Sequence, residues 1–280
     1  MHRPTTKVAI IGCGNVGSTF AFSLMISGLA REIVLIDRDT ERAHGECMDL
    51  GHGLSFVPPV SIYAGSYEAC KNADIVVITA GSRQRPDQTR LDLVKTNVDM
   101  FKDVIPQITT HAKDAILLVV SNPMDILTYA TLKISGFPAR RVIGSGTVLD
   151  SSRFRFLISE HCHVDSRNIH AYIIGEHGDS ELAVWSHANI GGMVLSEYCP
   201  VCNADCNYKE ELGGIFEKVK NSAYQIIKRK GATYYAIALA LTKIVGAILR
   251  DENSVLPVST LIHDYYGIED VCLGMPAVVN

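Results

Sequence analysis

The stretch KVAIIGCGNVG, from Lys7 to Gly17, decides the fold because a short apolar run leads directly into a glycine-rich turn. Gly12, Gly14 and Gly17 follow the pattern G-x-G-x-x-G, and a helix-like segment, Val16–Gly28, begins within it. The first glycine allows a tight turn, the second lets a phosphate approach the backbone, and the third lets the helix pack closely on the sheet. The stretch predicts a strand, turn and helix that bind a dinucleotide, with a chance glycine-rich turn as the alternative.

The first half of the chain repeats this alternation of strand and helix. Runs rich in β-branched residues are predicted strands: Lys7–Ile11, Glu32–Ile36, Val60–Ala64, Asp74–Thr79 and Ala115–Val119. Segments between them are predicted helices: Val16–Gly28, Arg42–Leu50, Leu91–Ile108 and Ile126–Ile134. Near-continuous apolar strands separated by helices are typical of a parallel sheet covered on both faces. We therefore predict an α/β fold with a doubly wound, Rossmann-type parallel sheet.

The second half has a different pattern. It contains a predicted strand at His170–Ile174 and predicted helices at Ser151–Glu160, Glu210–Lys230 and Thr233–Leu249, with Gly231 as a helix breaker. No proline- or glycine-rich linker divides the halves, so the boundary is predicted near Gly144–Thr147. This gives a dinucleotide-binding domain over residues 1–145 and an α+β substrate-binding domain over residues 146–280. The cleft between two such domains is a usual ligand site.

An acidic residue stands where the ribose of the dinucleotide is expected. Asp37 ends the second predicted strand, 20 residues after Gly17, and can accept hydrogen bonds from ribose hydroxyls. Its charge would repel a 2′-phosphate, which favours NAD over NADP, although the neighbouring Arg38 could approach such a phosphate. Asn15 and Val16, at the start of the helix, offer free N–H groups to the pyrophosphate.

Composition excludes several classes of protein. The chain has 280 residues, of which 47% are hydrophobic and 20% charged, as in a globular protein with a sizeable core. A net charge of -4 argues against nucleic acid or an anionic membrane as the main partner. No apolar run approaches the length of a membrane span, and the first one is too short for a signal peptide. We therefore expect a cytoplasmic protein.

The eight cysteines form two groups. Three of them, Cys199, Cys202 and Cys206, are close in sequence, and they indicate either a surface loop with free thiols or a metal or redox site. Because no fourth ligand is evident nearby, we predict no metal site. The remaining cysteines are scattered and are expected to be reduced, small apolar side chains: Cys13, Cys47, Cys70, Cys162 and Cys272.

Three further segments bear on the chemistry: residues 81–94 (GSRQRPDQTRLDLV), residues 121–123 (SNP) continued by 148–153 (VLDSSR), and residues 175–180 (GEHGDS). Together with the glycine-rich turn they resemble the L-lactate/malate dehydrogenase family, on its lactate branch and of bacterial type. The resemblance runs in order from Lys7 to the last residue. It implies an NAD-dependent enzyme that transfers hydride reversibly between NADH and pyruvate, which becomes lactate.

The resemblance assigns the acid–base chemistry to His177. Imidazole titrates near neutrality, so it can give a proton to the ketone oxygen and recover it from lactate; a structural turn histidine is the alternative. Asp150 matches the carboxylate that orients the imidazole, although by itself it would also suit the N-cap of a helix beginning at Ser151. Arg153, one helical turn later, is assigned to the substrate carboxylate, which a guanidinium binds with two parallel hydrogen bonds.

Three more residues are assigned to substrate or cofactor by the resemblance. Arg90 lies between strand and helix, as in a mobile loop, and would polarise the ketone when the loop closes; a solvated loop charge is the alternative. Asn122 matches a hydrogen-bond donor to the substrate oxygen and is also assigned to the cofactor site. Its bond to Pro123 is a candidate cis peptide. Thr233 matches a threonine that lines the small substrate pocket.

Gln84 falls where the family discriminates between substrates. Malate dehydrogenases have arginine there, because burying the second carboxylate of oxaloacetate without a partner would cost several kcal/mol. Neutral Gln84 leaves room for the methyl group of pyruvate. A one-residue shift of loop register would bring Arg83 or Arg85 inward, so malate dehydrogenase stays an alternative.

The resemblance also suggests regulation. Arg155 and His170 match the fructose 1,6-bisphosphate site of bacterial lactate dehydrogenases, where two subunits face each other. Two cationic side chains from each subunit would suit a phosphate-rich ligand, and a homotetramer is expected. The alternative is a structural pair at a subunit interface.

This chain departs from the family in two places. Asp87 and Gln88 replace a glycine and an acidic residue of the loop. Family members continue beyond Asn280 with a further strand and a terminal helix, so the second domain is expected to be truncated at its C-terminus. Two other functions stay open: a non-catalytic NAD-binding protein, against which the intact catalytic set argues, and an NAD-dependent glycosidase. A glycosidase of this fold needs a Cys/His metal site close to the cofactor, and the sequence offers no suitable pattern.

Overall fold

The computed structural model describes residues 6–82, 89–202 and 208–280. Its helices are α1 (Asn15–Ser27), α2 (Thr40–His52), α3 (Arg90–His111), α4 (Met124–Ser135), α5 (Val148–Cys162), α6 (Leu195–Cys202), α7 (Tyr208–Lys230) and α8 (Tyr235–Leu249). Its strands are β1 (Lys7–Ile11), β2 (Glu32–Ile36), β3 (Ser61–Ala64), β4 (Ile75–Ile78), β5 (Ile116–Val119), β6 (Val142–Gly144), β7 (Ile169–His170), β8 (Ile173–Ile174), β9 (Leu182–Ala183), β10 (Asn189–Ile190), β11 (Met193–Val194), β12 (Ser254–Ile262) and β13 (Val271–Val279). None of the described helices combines the length and apolarity that a bilayer span requires.

One large sheet organises the molecule. In the described part of the chain its strand order is β13-β12-β6-β5-β4-β1-β2-β3. Strands β1 to β6 run parallel, with Val8 of β1 paired to Ile33 on one side and to Ile75 on the other. Because β1 lies between β2 and β4, the chain crosses over to both sides of it, and ligands bind at such a switch point. The predicted doubly wound, Rossmann-type sheet is confirmed.

The two faces of the sheet are buried under different helices. In β1, Val8 and Ile10 contribute to one apolar cluster, whereas Ala9 and Ile11 contribute to the other. This follows from the two-residue period of a strand, which points neighbouring side chains to opposite faces. Helices α1 and α8 cover the first face, where Ser23 and Thr242 share a hydrogen bond of 2.8 Å. Helix α3 covers the second.

The second half builds its own core and also completes the first sheet. Apolar residues of α5 and α7, among them Phe154, Ile158 and Val219, pack together beside small antiparallel sheets. The predicted α+β character of this half is confirmed. Strands β12 and β13, to which the sequence analysis assigned no structure, add an antiparallel edge to the main sheet through Ser259 and Gly144. The division into residues 1–145 and 146–280 stays a prediction.

Two sequence-based assignments in the second half are wrong. The predicted strand His170–Ile174 is interrupted, because β7 pairs with β10 whereas β8 pairs with β9 in a separate sheet. Helix α5 begins at Val148 with Thr147 as its N-cap, so Asp150 lies inside the first turn and is not the cap. The hydroxyl of Thr147 instead donates to the carbonyl of Ile173 at 2.5 Å.

Candidate active site

The glycine-rich turn leaves open space over one of its glycines. Gly12 has a φ of +100°, and a Cβ there would lie 2.6 Å from the amide nitrogen of Ala80. A Cβ on Gly17 would lie 1.9 Å from the carbonyl oxygen of Gly12, so packing requires both glycines. Gly14 has an ordinary φ of -73°, and a Cβ there would meet no described atom within 4 Å. This room over the backbone of Gly14 fits a ligand phosphate.

The start of α1 and the end of β2 supply the polar groups around this space. Gly14 caps α1 without a side chain, and the first helical bond runs from the N–H of Ser18 to the carbonyl of Gly14 at 2.9 Å. The preceding N–H groups therefore suit a pyrophosphate. The carboxylate of Asp37 accepts hydrogen bonds from the N–H of Cys13 at 2.6 Å and of Asp39 at 3.0 Å.

A groove beside Asp37 completes the arrangement. It has a volume of about 360 Å³ and is lined by residues of β2, α2 and the turn after β3, including Thr40 and Tyr67. Asp37 also lines this groove, so its carboxylate both holds the glycine-rich turn and faces the space where a nucleoside would lie. The residues present therefore fit NAD.

A buried carboxylate joins the two residues assigned to catalysis and substrate binding. Asp150 Oδ2 lies 2.6 Å from His177 Nδ1, and Arg153 Nη1 donates to Asp150 Oδ1 at 2.8 Å. The exposed fraction of the side chain is 4% for Asp150, 13% for Arg153 and 27% for His177. The imidazole is therefore held from its buried side while part of the ring is exposed to solvent.

The charges of this group favour an imidazolium. Burial by itself lowers the pKa of His177, but the carboxylates of Asp150 and Asp125 together outweigh burial, so the net pKa is raised above its ordinary value. Burial likewise raises the pKa of Asp150, but His177 and Arg153 together lower it below its ordinary value. Such a pair keeps a proton available on the ring near neutral pH.

The segment that carries His177 is anchored from several directions. The N–H of His177 donates to Asp125 Oδ2 of α4 at 2.7 Å, and Ser259 of β12 donates to Asp125 Oδ1 at 2.6 Å. Two backbone hydrogen bonds of 2.8 Å join Gly175 to Gly274 of β13. The position of the imidazole is therefore set by α4, α5, β12 and β13 together.

Asn122 lies at the same edge of the sheet as the glycine-rich turn. It follows β5, and its carbonyl accepts a hydrogen bond from Asn97 Nδ2 at 2.7 Å. The neighbouring Ser121 hydroxyl donates at 2.6 Å to the carbonyl of Ala80, against which Gly12 packs. Because Asp125 lies one turn after Asn122, the segment also leads to His177. The predicted cis bond between Asn122 and Pro123 is confirmed.

The structure describes only part of the remaining predicted site residues, Arg90, Gln84 and Thr233. Arg90 begins α3 behind a capping box formed by Thr89 and Asp92, and its side chain lies outside the described part of the structure. Gln84 lies outside the described residues. Thr233 is described in the segment between α7 and α8, where no described hydrogen bond joins it to His177.

Three buried polar residues of the site were missed by the sequence analysis. Asp125 and Ser259 hold the backbone of His177, and Glu181 lies near the imidazole with only 7% of its surface exposed. In the sequence, Asp125 resembles an ordinary acidic residue in the first turn of a helix. Glu181 and Ser259 carry no signal, because their roles depend on burial between segments far apart in the chain.

Comparisons with known proteins agree with this geometry. Residues 6–144 match the lactate/malate dehydrogenase NAD binding domain, and residues 147–280 match the lactate/malate dehydrogenase alpha/beta C-terminal domain. The chain is 57% identical over 279 residues to an L-lactate dehydrogenase of Acetivibrio thermocellus, covering 100% of this chain and 88% of that relative. It is 54% identical over 282 residues to L-lactate dehydrogenase 1 of Clostridium acetobutylicum, covering 99% of this chain and 88% of that relative.

A solved structure supports the same conclusion. The minor L-lactate dehydrogenase from Enterococcus mundtii, crystallised in a ligand-bound form, is similar with a TM-score of 0.94 and 46% identity. The match covers 99% of this chain and 88% of that one. The resemblance inferred from the motifs is therefore confirmed, and the chain belongs to the lactate/malate dehydrogenase family.

Proposed function

We propose that this chain is an NAD-dependent L-lactate dehydrogenase that transfers hydride reversibly between NADH and pyruvate. The observation that carries the proposal is the position of Asp150, whose two oxygens hold the imidazole of His177 and the guanidinium of Arg153. A proton donor beside a carboxylate-binding cation matches a 2-oxo acid, whose ketone and carboxylate occupy adjacent carbons. The relatives at 54% and 57% identity are L-lactate dehydrogenases, which supports pyruvate as that acid.

In this proposal His177 moves the proton and Arg153 positions the substrate. Because Nδ1 is bonded to Asp150, Nε2 donates a proton to the ketone oxygen and recovers it from the hydroxyl of lactate. A guanidinium has five N–H donors, and the bond to Asp150 leaves donors for the substrate carboxylate. NADH, when bound, supplies the hydride. We assign Arg90 and Asn122 to the ketone oxygen.

The other assignments follow from position in the fold or from the resemblance. Thr233 lines the substrate pocket, and Asn122 also faces the cofactor. Neutral Gln84 sets the preference for pyruvate over oxaloacetate. The ribose is bound by Asp37, and the pyrophosphate is bound at the turn by Gly12, Gly14, Asn15, Val16 and Gly17.

Glu181 is a buried carboxyl near His177 whose charge depends on pH. Its Oε1 is buried without a hydrogen-bond partner among the described residues. Burial, and then the nearby charge of Asp150, raise the pKa of Glu181 to about 7, whereas His177, Arg153 and Lys220 act in the opposite direction. The carboxyl is therefore neutral in acid and becomes a buried charge as the pH rises through neutrality.

We also propose a cytoplasmic homotetramer with a site for fructose 1,6-bisphosphate between two subunits. Arg155 Nε donates to the carbonyl of Ala171 at 3.0 Å, which places the guanidinium beside the residue that follows His170, whose side chain is exposed at the end of β7. At a two-fold axis each residue appears twice, so four such side chains would converge on the phosphates. Cys13, Cys47, Cys70 and Cys272 are free thiols, in agreement with a reducing compartment.

The first prediction concerns the substrate. With saturating NADH, we expect pyruvate to be reduced at least ~100-fold more efficiently than oxaloacetate, because a second carboxylate would be buried without a partner. Gln84→Arg should shift the ratio of kcat/KM values toward oxaloacetate. Arg83→Gln and Arg85→Gln are the matched variants. Equal efficiency for the two substrates in the parent would contradict the assignment to lactate, and a large loss of selectivity in either matched variant would mean that another loop residue faces the substrate.

The second prediction concerns the acid–base pair. His177→Asn should lower kcat by ~10²- to 10⁴-fold, with the Kd for NADH nearly unchanged because the glycine-rich turn binds the cofactor. Pyruvate reduction needs the protonated ring, so its rate should fall as pH rises through the pKa of His177. Asp150→Asn removes the charge that raises this pKa and should move that fall to lower pH. His187→Asn, at an exposed histidine, is the control. An unmoved pH profile in Asp150→Asn would contradict the coupling.

The third prediction concerns Glu181. A carboxyl with a raised folded pKa lowers stability as pH rises from about 4.5 to about 7, because the unfolded chain releases its proton first. Glu181→Gln should therefore match the parent near pH 4.5 and exceed its free energy of unfolding by about 1–3 kcal/mol at pH 8. Denaturant unfolding at both pH values measures the difference, and exposed Glu217→Gln is the control. A difference that does not change with pH would show that Glu181 has an ordinary pKa.

The fourth prediction concerns regulation. Fructose 1,6-bisphosphate should lower the half-saturating pyruvate concentration of the parent by several-fold, because it neutralises the converging cations and favours the substrate-binding state. Arg155→Gln together with His170→Ala should abolish the response and keep the basal rate. Arg167→Gln, at an exposed arginine, should keep the response. A parent whose saturation curve does not move with the effector would leave these residues as interface contacts only.

A further inference from the structure

Three potential metal ligands meet at the far end of α5, away from the active site. His161 and Cys162 end this helix, and Cys199 lies on α6. One ligand atom from each of the three residues lies within 4.8 Å of the other two. Cys162 is 3% exposed and Cys199 is fully buried, so the interpretation of Cys199 as part of a surface loop is wrong.

The composition of the cluster distinguishes it from the other buried cysteines. Cys13, Cys70 and Cys272 are buried in other parts of the fold and pack as small apolar side chains. At the end of α5, two thiols and an imidazole instead converge within an apolar core that includes Ile158. Thiolate and imidazole are the donors that Zn²⁺ prefers, and tetrahedral sites combine them.

We propose that His161, Cys162 and Cys199 bind a Zn²⁺ ion that fastens α6 to the last turn of α5. Zinc in proteins is usually four-coordinate, and a water molecule can occupy the fourth position beside three protein ligands. The two thiols and the imidazole of the described cluster supply those three ligands.

The position of the cluster indicates a structural role. A helix carries partial negative charge at its C-terminal end, where a cation is favourable. Asp150 and Arg153 lie in the first turns of the same helix, at least ~12 Å away along its axis. The ion would therefore have no contact with the reacting groups. It would instead stabilise the packing of α6 against a helix whose other end positions the site.

Metal content and cobalt spectroscopy test this proposal on the full chain. Protein purified under reducing conditions without chelator should contain about one zinc per chain by mass spectrometry. Replacement by Co²⁺ should give the thiolate-to-cobalt charge-transfer band and the strong ligand-field bands of a tetrahedral site. Removal of the ion by a chelator should lower the thermal midpoint, and added Zn²⁺ should restore it.

Variants separate the three ligands from their neighbours. Cys199→Ala and His161→Gln should each lower the affinity for Zn²⁺ at least ~10-fold. His163→Asn is the matched control, because His163 is exposed, adjacent and in a left-handed conformation that asparagine tolerates.

Two results would overturn the proposal, and the first of them needs no variant. Parent protein with neither zinc nor a cobalt charge-transfer band would exclude the site. Zinc binding that survives the loss of both Cys199 and His161 would place the ion elsewhere. Because the readout is metal content, failure here would leave the proposed dehydrogenase activity untouched.

Discussion

The carboxylate of Asp150 is the constraint on which the rest of the site depends. It is almost completely buried, and a buried charge is costly unless it is paired on more than one side. The imidazole of His177 and the guanidinium of Arg153 provide that pairing. Because Arg153 is on the same helix and His177 is on a distant segment, the pairing is satisfied only when that segment is docked on α5. The stability of the second half of the chain and the geometry of the active site therefore depend on the same contacts.

The docking of this segment also connects the second half to the dinucleotide-binding half. Asp125 lies at the start of α4, directly after strand β5 of the main sheet. Its two carboxylate oxygens accept hydrogen bonds from His177 and from Ser259 of β12, both of which belong to the second half of the chain. Strand β12 in turn extends the first sheet next to β6. The result is that the carboxyl edge of the parallel strands, where NAD fits, and the imidazole are parts of one hydrogen-bonded unit.

Local sequence patterns predicted the parts of the protein that depend on local interactions. The limits of β1 and β2 agree with the predicted ones, because apolar runs bounded by polar or glycine residues determine them. Helix α5 starts earlier than predicted, since Thr147 caps it and bonds to distant Ile173. The pairing of β12 with β6, the burial of Glu181 and the convergence of His161 with Cys199 join segments far apart in sequence. No spacing or periodicity records such contacts, whereas resemblance to a family could indicate His177 and Asp150.

The bridge between Gly175 and Gly274 has a consequence for the order of folding. A chain emerging from the ribosome can pair β1 to β5 from nearby residues, although one face of that sheet stays uncovered until α8 has been made. The histidine segment has no such independence, because its partners include β12 and β13 near the end of the sequence. Contacts that close long loops form late. A nascent chain would therefore form the glycine-rich turn before the histidine segment could dock beside it.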